Sequence, residues 1–312
     1  MKSKSSGLIR TMNRQEKTTQ ALPTVNIIGA GRVGQTLARL LHGKKLAVIQ
    51  DIYCRTKEHA RTAYQFIGSG RPVTNINQIQ SADIYFLTVP DSCIKTVCEE
   101  LAQNQEINFE NTIVLHCSGA LSAEETLASA RLRGASIASA HPVLSFSSPA
   151  QAILNYQGSF CGIEGSKSAT EILTPLFNLL GAVTFEISSE NKSVYHAACV
   201  LSNNYAYALS HLAIQAFEQA GLKKDFAEQA SLQMMQSALN NLQTLPPKQA
   251  LTGPIARADH STINKHQQAL AKTENQEMAE LYQKLGEYCV KYLTDHAESA
   301  KANLIDNLKS KL

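Results

Sequence analysis

The sequence predicts an α/β protein: a doubly wound sheet in the N-terminal half, followed by an all-helical C-terminal region. Three observations lead there. Short apolar runs alternate with helical patterns from Val25 to Ile187, as β-α-β units require. A glycine-rich turn joins the first apolar run to an amphipathic helix pattern. Past Ile187 the strand-like runs stop and long helical patterns take over.

Taken in order, the expected strands are 25–28, 46–53, 84–89, 112–116, 136–140, 159–163 and 183–187. Val33, Leu37, Leu40 and Leu41 form the buried stripe of the first helix, with Gly43 expected as its C′ residue. Ser122 with Glu125 and Ser168 with Glu171 have capping-box spacing, and Asp91 is expected as a further N-cap. Residues 189–220 read as one helix ending at Gly221, and Asp225 with Glu228 is expected to cap the next. Pro246-Pro247 stop that helix, since neither proline can donate a backbone hydrogen bond. The expected domains are a disordered extension at 1–22, a nucleotide-binding sheet domain at 23–185 and a helical substrate and dimerisation domain at 186–312.

Composition excludes several classes. No apolar run reaches the roughly 18 residues of a membrane span. The net charge of +3 sits in residues 1–20, which carry a local +4, so no basic face argues for nucleic acid. That tail lacks the apolar core of a secretory signal. Seven cysteines form no CxxC pair, so neither a disulfide framework nor a metal site is expected, and a cytoplasmic location fits.

Gly29-Ala30-Gly31-Arg32-Val33-Gly34 places G-x-G-x-x-G between strand and helix, the fingerprint of a Rossmann dinucleotide site. Gly29 permits the tight turn, Gly31 lets backbone approach a pyrophosphate, and Gly34 allows close packing, with the helix N-terminus facing the anion. The second strand selects the cofactor. Asp51 is the right distance along for a ribose hydroxyl, but strand residues follow it, and the strand ends at Cys54-Arg55-Thr56. A guanidinium and a hydroxyl there suit a 2′-phosphate, so NADP is expected over NAD.

Chemistry in such sheets collects at the carboxyl ends of strands. Those ends read Val89-Pro90-Asp91, His116-Cys117-Ser118-Gly119 and Ala140-His141-Pro142. Val89, Pro90, Ser118 and Gly119 are expected against the nicotinamide, and His141, His196 or His116 as acid/base, since imidazole titrates near neutrality. Lys192, His196 and Asn203 share a face at 100° per residue, with Tyr195 and Asn204 off that stripe by about one residue. Lys192 and Asn203 would orient the reacting group, with Asn204 beside them. Arg257 would clamp a substrate carboxylate or pair internally with Asp259.

Four stretches together resemble one family: GAGRVG, VPDS followed by HCSGALS, SAHP, and YHAACVLSNNY with LTGPIARAD. That family joins a Rossmann-like domain to a C-terminal domain of unknown function, number 2520. Ala258 departs from it, standing where the pattern has glycine. The chain also looks like the wider superfamily of pyrroline-5-carboxylate reductase, ketopantoate reductase, prephenate dehydrogenase and 3-hydroxyacid dehydrogenases. The resemblance implies oxidoreductase chemistry and a helical domain that builds a homodimer, and it supplies no substrate. With the NADP preference read at Arg55 and the carboxylate clamp read at Arg257, the expected reaction is hydride transfer to or from a small, carboxylate-bearing carbonyl, imine or alcohol. The resemblance also implies substrate contact by His141, as in the His-Pro of prephenate dehydrogenases. The Lys192–His196 spacing is similar to a lysine and amide of the hydroxyacid dehydrogenases, with histidine in place of the amide. The alternative is a cofactor-binding sensor without turnover.

Overall fold

The computed structural model describes residues 21–273 and 275–309; residues 1–20 of the expected extension lie outside them. Eight strands form one sheet: β1 Thr24–Ile28, β2 Val48–Tyr53, β3 Arg71–Val73, β4 Ile84–Leu87, β5 Ile113–His116, β6 Ser136–Val143, β7 Phe160–Gly165 and β8 Val183–Glu186. Their spatial order is β3-β2-β1-β4-β5-β6-β7-β8. Neighbours run parallel except β6 and β7, which pair antiparallel from Ala138↔Gly165 to Val143↔Phe160. The order reverses between β1 and β4, which opens a crevice at their carboxyl ends.

Both faces of the sheet are covered, which is why its central strands read as continuous apolar runs. On one face Leu37 and Leu41 of the helix Arg32–Gly43 share a core with Leu173, Leu176 and Phe177 of the helix Lys167–Leu180. On the other, Ile94, Cys98 and Leu101 of Asp91–Gln103 pack with Leu127 and Ala130 of Ala123–Leu132. Each fully buried aliphatic side chain contributes about 1.5–3 kcal/mol.

Several local expectations change. β3 was not foreseen: it is three residues long and contains Pro72, which only an edge strand tolerates. Ser122 does accept the Glu125 amide. Ser168 does not cap; Ser166 takes the N-cap position, and the Ser168 hydroxyl meets that of Ser136 at 2.6 Å. Gly43 is the last helical residue, and Lys45 supplies the positive φ of 55° that follows. Asp225 lies inside the first turn of Lys224–Leu242 rather than before it.

The long helix expected over 189–220 is interrupted. Lys192–Cys199 is α-helical, Val200–Asn204 forms a π turn, and Tyr205–Gln219 resumes the α-helix. A π turn advances less per residue than 100°, so the face shared by Lys192 and His196 does not continue to Asn203. Lys192 is buried, whereas Asn203 is exposed.

One compact unit ends at Asn203 and a second begins at Asn204, whereas the sequence pattern divides at 185/186. The second unit holds a hairpin of Tyr205–Gln219 and Lys224–Leu242, turned at Gly221 (φ 96°) and joined by the Ser210 and Ser231 hydroxyls at 3.1 Å. Pro247 opens a single turn, Pro247–Ala250. The helices His260–Leu270, Gln276–Leu293 and Glu298–Lys309 then enclose Ile263, Val290, Leu304 and Leu308. Among the described residues no helix is long and apolar enough to cross a membrane.

Candidate functional site

The glycine turn after β1 lies at the crevice. Gly29 has φ 89°, and a Cβ there would stand 2.4 Å from the Val89 side chain. A Cβ on Gly34 would meet Thr88 Oγ1 at 2.4 Å, so this glycine serves close packing. Gly31 differs: nothing stands within 4 Å of its Cβ position. Open space over Gly31, at the start of the helix Arg32–Gly43, is what an approaching phosphate needs. Gly29, Ala30, Gly31, Arg32, Val89 and Pro90 line one cleft of about 900 Å³. Val33 packs against the core.

The far end of that cleft is walled by Tyr53, Cys54, Arg55, Thr56 and His59. Thr56 caps the helix Lys57–Ile67 by accepting the His59 amide. Asp51 is fully buried, and its carboxylate holds Arg71 through Nε at 2.7 Å and Nη2 at 3.1 Å. It also accepts the Gln80 amide at 2.7 Å. The acid near the end of β2 is therefore occupied by protein, and the exposed cation that follows β2 at the cleft wall is Arg55, with Arg32 exposed beside the glycine turn.

Beyond Pro90 the walls are tied to the loop after β5 through one serine. Ser118 Oγ donates to Asp91 Oδ2 at 2.7 Å and accepts the amides of Ala120 and Leu121. Asp91 is thus the first residue of its helix and not its N-cap, which is Pro90. The Ser118 amide donates to His116 Nδ1 at 3.1 Å, and its carbonyl accepts from Lys192 Nζ at 3.0 Å. Lys192 also donates to Ser139 Oγ and pairs with Glu164 Oε1 at 3.4 Å. Glu164 in turn accepts the Ala123 amide and the Ser189 hydroxyl. Every polar atom of Ser118 is bound, and the loop cannot shift without breaking a buried network.

Two sequence candidates belong to that network. Lys192 is 1% exposed; burial pushes its ammonium below the ordinary lysine value, with Glu164 opposing. Its charge therefore acts on the loop. His116 is wholly buried, and burial together with the Lys192 charge lowers it to about 3. Since Nδ1 accepts from Ser118, the proton is on Nε2, which has no well-formed hydrogen bond.

His141 and His196 face each other across Gly119. Their rings are 5.9 Å apart, edge to face, and a Cβ on Gly119 would come within 2.9 Å of His141 Nε2 and 2.6 Å of His196 Cδ2. Only glycine fits there. Burial, then the neighbouring His196 and Lys192, lower His141 to about 4, so its imidazole is neutral at pH 7. His141 Nδ1 lies 2.7 Å from the Tyr195 hydroxyl. The sequence reading set Tyr195 aside as off the stripe; its signal is visible only once Gly162, opposite His141 on β7, makes room for the phenol.

The remaining candidates fall elsewhere. Asn203 closes the first unit in the π turn, and Asn204 opens the second. Arg257 is exposed and forms no ion pair among the described residues, since Asp259 instead caps His260–Leu270 by accepting from Thr262. Ala258 adopts φ 55°, a left-handed conformation that suits the glycine of the family pattern. Among the described residues no group of histidines, cysteines and carboxylates could hold a metal.

The strand order, the glycine turn and the crevice at the β1/β4 switch define a Rossmann-like fold. Residues 10–142 match the Rossmann-like domain family and residues 159–289 match the domain of unknown function DUF2520, so the chain joins those two domains. A comparison with curated protein sequences finds no match. Among solved structures, a Bacteroides fragilis protein provisionally assigned as an NADP oxidoreductase is 22% identical, with TM-score 0.69 over 86% of this chain and 97% of that one. Protein TM1727 from Thermotoga maritima is 25% identical, with TM-score 0.67 over 86% and 98%. An imine reductase from Myxococcus stipitatus in complex with NADP+ is 16% identical, with TM-score 0.63 over 91% and 100%. A pyrroline-5-carboxylate reductase from Coxiella burnetii and a prephenate dehydrogenase from A. aeolicus are also similar, at 17% and 16% identity. At these identities the likeness is one of fold.

Proposed function

We propose that the protein is an NADP-dependent oxidoreductase acting on a small carbonyl, imine or alcohol. The observation that carries this reading is the engagement of Asp51 by Arg71, which leaves Arg55 and Thr56 as the polar groups at the end of β2. A guanidinium and a hydroxyl at that place suit a 2′-phosphate, and a buried, paired carboxylate does not suit a ribose hydroxyl. Open space at Gly31 and the backbone of the Arg32–Gly43 N-terminus fit the pyrophosphate. When bound, the nicotinamide supplies or accepts the hydride.

The protein's own residues orient and exchange protons. The Ser118–Gly119 loop, locked by Lys192, Asp91 and His116, is a rigid wall for the nicotinamide side. His141 is taken as the first acid/base candidate, and it acts as a neutral donor or acceptor rather than as a standing imidazolium. His196 is its neighbour and second candidate. Lys192 and His116 are given positioning roles. Arg257, exposed and in no ion pair among the described residues, is available to a carboxylate. The apolar hairpin of the second unit is read as the seat of a homodimer contact.

A panel of small carbonyls, imines and alcohols, followed by NADPH absorbance, tests the activity. Turnover on at least one class, lowered tenfold or more by His141→Asn with NADPH affinity kept, is expected. NADPH binding with no turnover across the panel would favour the sensor reading.

A further inference from the structure

Across the sheet, register aligns His141 of β6, Gly162 of β7 and Phe185 of β8. The helix Lys192–Cys199 sets Tyr195 over that row. A Cβ on Gly162 would stand 3.1 Å from the Tyr195 hydroxyl and 3.3 Å from the Phe185 ring, so the phenol occupies space that glycine alone leaves. The Tyr195 ring packs edge to face on both His141, at 5.5 Å between centroids, and Phe185, at 5.9 Å. Phe185 is braced by Phe160 at 6.4 Å. Two aromatic contacts, one of them braced from behind, thus fix a phenol whose hydroxyl ends 2.7 Å from His141 Nδ1.

We propose that Tyr195 is the positioning residue of His141: its hydroxyl donates to Nδ1, holding the neutral imidazole in the tautomer protonated at Nε2, with that N–H on the Gly119 side. The direction follows from acid and base strength. Between a neutral phenol and a neutral imidazole, the phenolic O–H is the better donor and the imidazole nitrogen the better acceptor. Both groups are neutral here. Burial raises the Tyr195 phenol above its ordinary value and lowers His141 to about 4. The charges around His141 add to this: His196 and Lys192 oppose an imidazolium, while Asp91 favours it more weakly. On the far side of the ring, Nε2 would lie 2.9 Å from a Gly119 Cβ, so glycine at 119 is what keeps that N–H unobstructed. A histidine held this way presents one donor in one direction, and which ring nitrogen bears the proton is set by the bond the other makes.

This inference rests on the oxidoreductase reading only for the use of His141, and its test does not need a substrate. Imidazole ¹⁵N resonances of the full chain at pH 7 would be compared with those of Tyr195→Phe, using His141→Asn to assign the signal. The unaltered protein is expected to show His141 as a single tautomer protonated at Nε2. Tyr195→Phe keeps the ring contacts and removes only the hydroxyl, so a shift of the two nitrogen signals toward an averaged mixture is expected. A His141 protonated at Nδ1 in the unaltered protein would overturn the proposal. So would an unchanged tautomer in Tyr195→Phe. NADPH titrated into the same samples should bind both proteins within about threefold, on the scale where tenfold is 1.4 kcal/mol. Failure of NADPH to bind the unaltered protein would sink the oxidoreductase reading while leaving the tautomer result to stand on its own.

Discussion

The Lys192 ammonium lies 3.0 Å from the Ser118 carbonyl oxygen, and both residues are buried. One long side chain thereby ties the loop after β5 to Ser139 of β6 and Glu164 of β7. Lys192→Met would leave Glu164 without its cation in a site only 4% exposed. Removing one partner of a buried pair costs about 3–5 kcal/mol, and neutralising the charge left behind can restore part of it. Urea denaturation should therefore show a large loss for Lys192→Met and a partial recovery for Lys192→Met with Glu164→Gln. A loss under about 1 kcal/mol in the single variant, the usual size of an exposed pair, would show that the network does not hold the loop.

His116 makes stability depend on pH. Its folded value of about 3 lies below the ordinary 6.5, so the unfolded chain binds its proton first as pH falls. The resulting stability is fully present above about pH 6.5 and is lost progressively toward pH 3, on the order of a few kcal/mol. His141, at about 4, adds a loss of the same sign. Asparagine at 116 can still accept the Ser118 amide but cannot titrate. Urea midpoints measured from pH 4 to 8 should fall toward acid, less steeply in His116→Asn; identical slopes would contradict the assignment.

Ala258 carries a side chain at φ 55°, where an L-residue costs roughly 1–2 kcal/mol. Glycine relieves that strain and returns about 0.4–1 kcal/mol as added freedom of the unfolded chain. Ala258→Gly should raise the denaturation midpoint, for a net stabilisation of up to about 1.5 kcal/mol. A lowered midpoint would mean that the methyl group, packed against the core around Ile263 and Leu304, matters more than the backbone.

The helix Tyr205–Gln219 has no buried residue, and Tyr207, Phe226, Met234 and Leu239 of its hairpin are each more than 60% exposed. Apolar surface of this extent marks an interaction site. A second copy of the chain is expected to cover it, giving a species of twice 34.0 kDa by light scattering. Met234→Lys with Leu239→Lys should shift it to monomer. A monomeric unaltered protein at micromolar concentration would count against the dimer.

Much of the fold was legible because its strands are buried on both faces and read as plain apolar runs. β3 was not, since three edge residues with a proline carry no periodicity. The π turn was invisible for a related reason: Val200–Asn204 has ordinary helical composition, and only the pairing geometry departs. At the site, the glycine turn and the mid-strand place of Asp51 could be read directly. The partners of Lys192 and His141 could not. Glu164 and Gly162 reach them through an antiparallel register between β6 and β7, which no local pattern announces. Asp91 looked like a cap because an acid at a helix start often is one; here Ser118 has claimed its carboxylate.

This cleft is expected to take a dinucleotide bearing a 2′-phosphate, which paired titrations of NADPH and NADH would measure. Arg55 stands at the cleft wall, and removing a hydrogen bond to a charged group costs about 1.5–3 kcal/mol, or roughly tenfold to 150-fold in affinity. NADPH should bind the unaltered protein more tightly than NADH, and Arg55→Ala should weaken NADPH by that factor while leaving NADH nearly unchanged. Equal affinities for the two cofactors in the unaltered protein, or no binding of NADPH, would contradict the account.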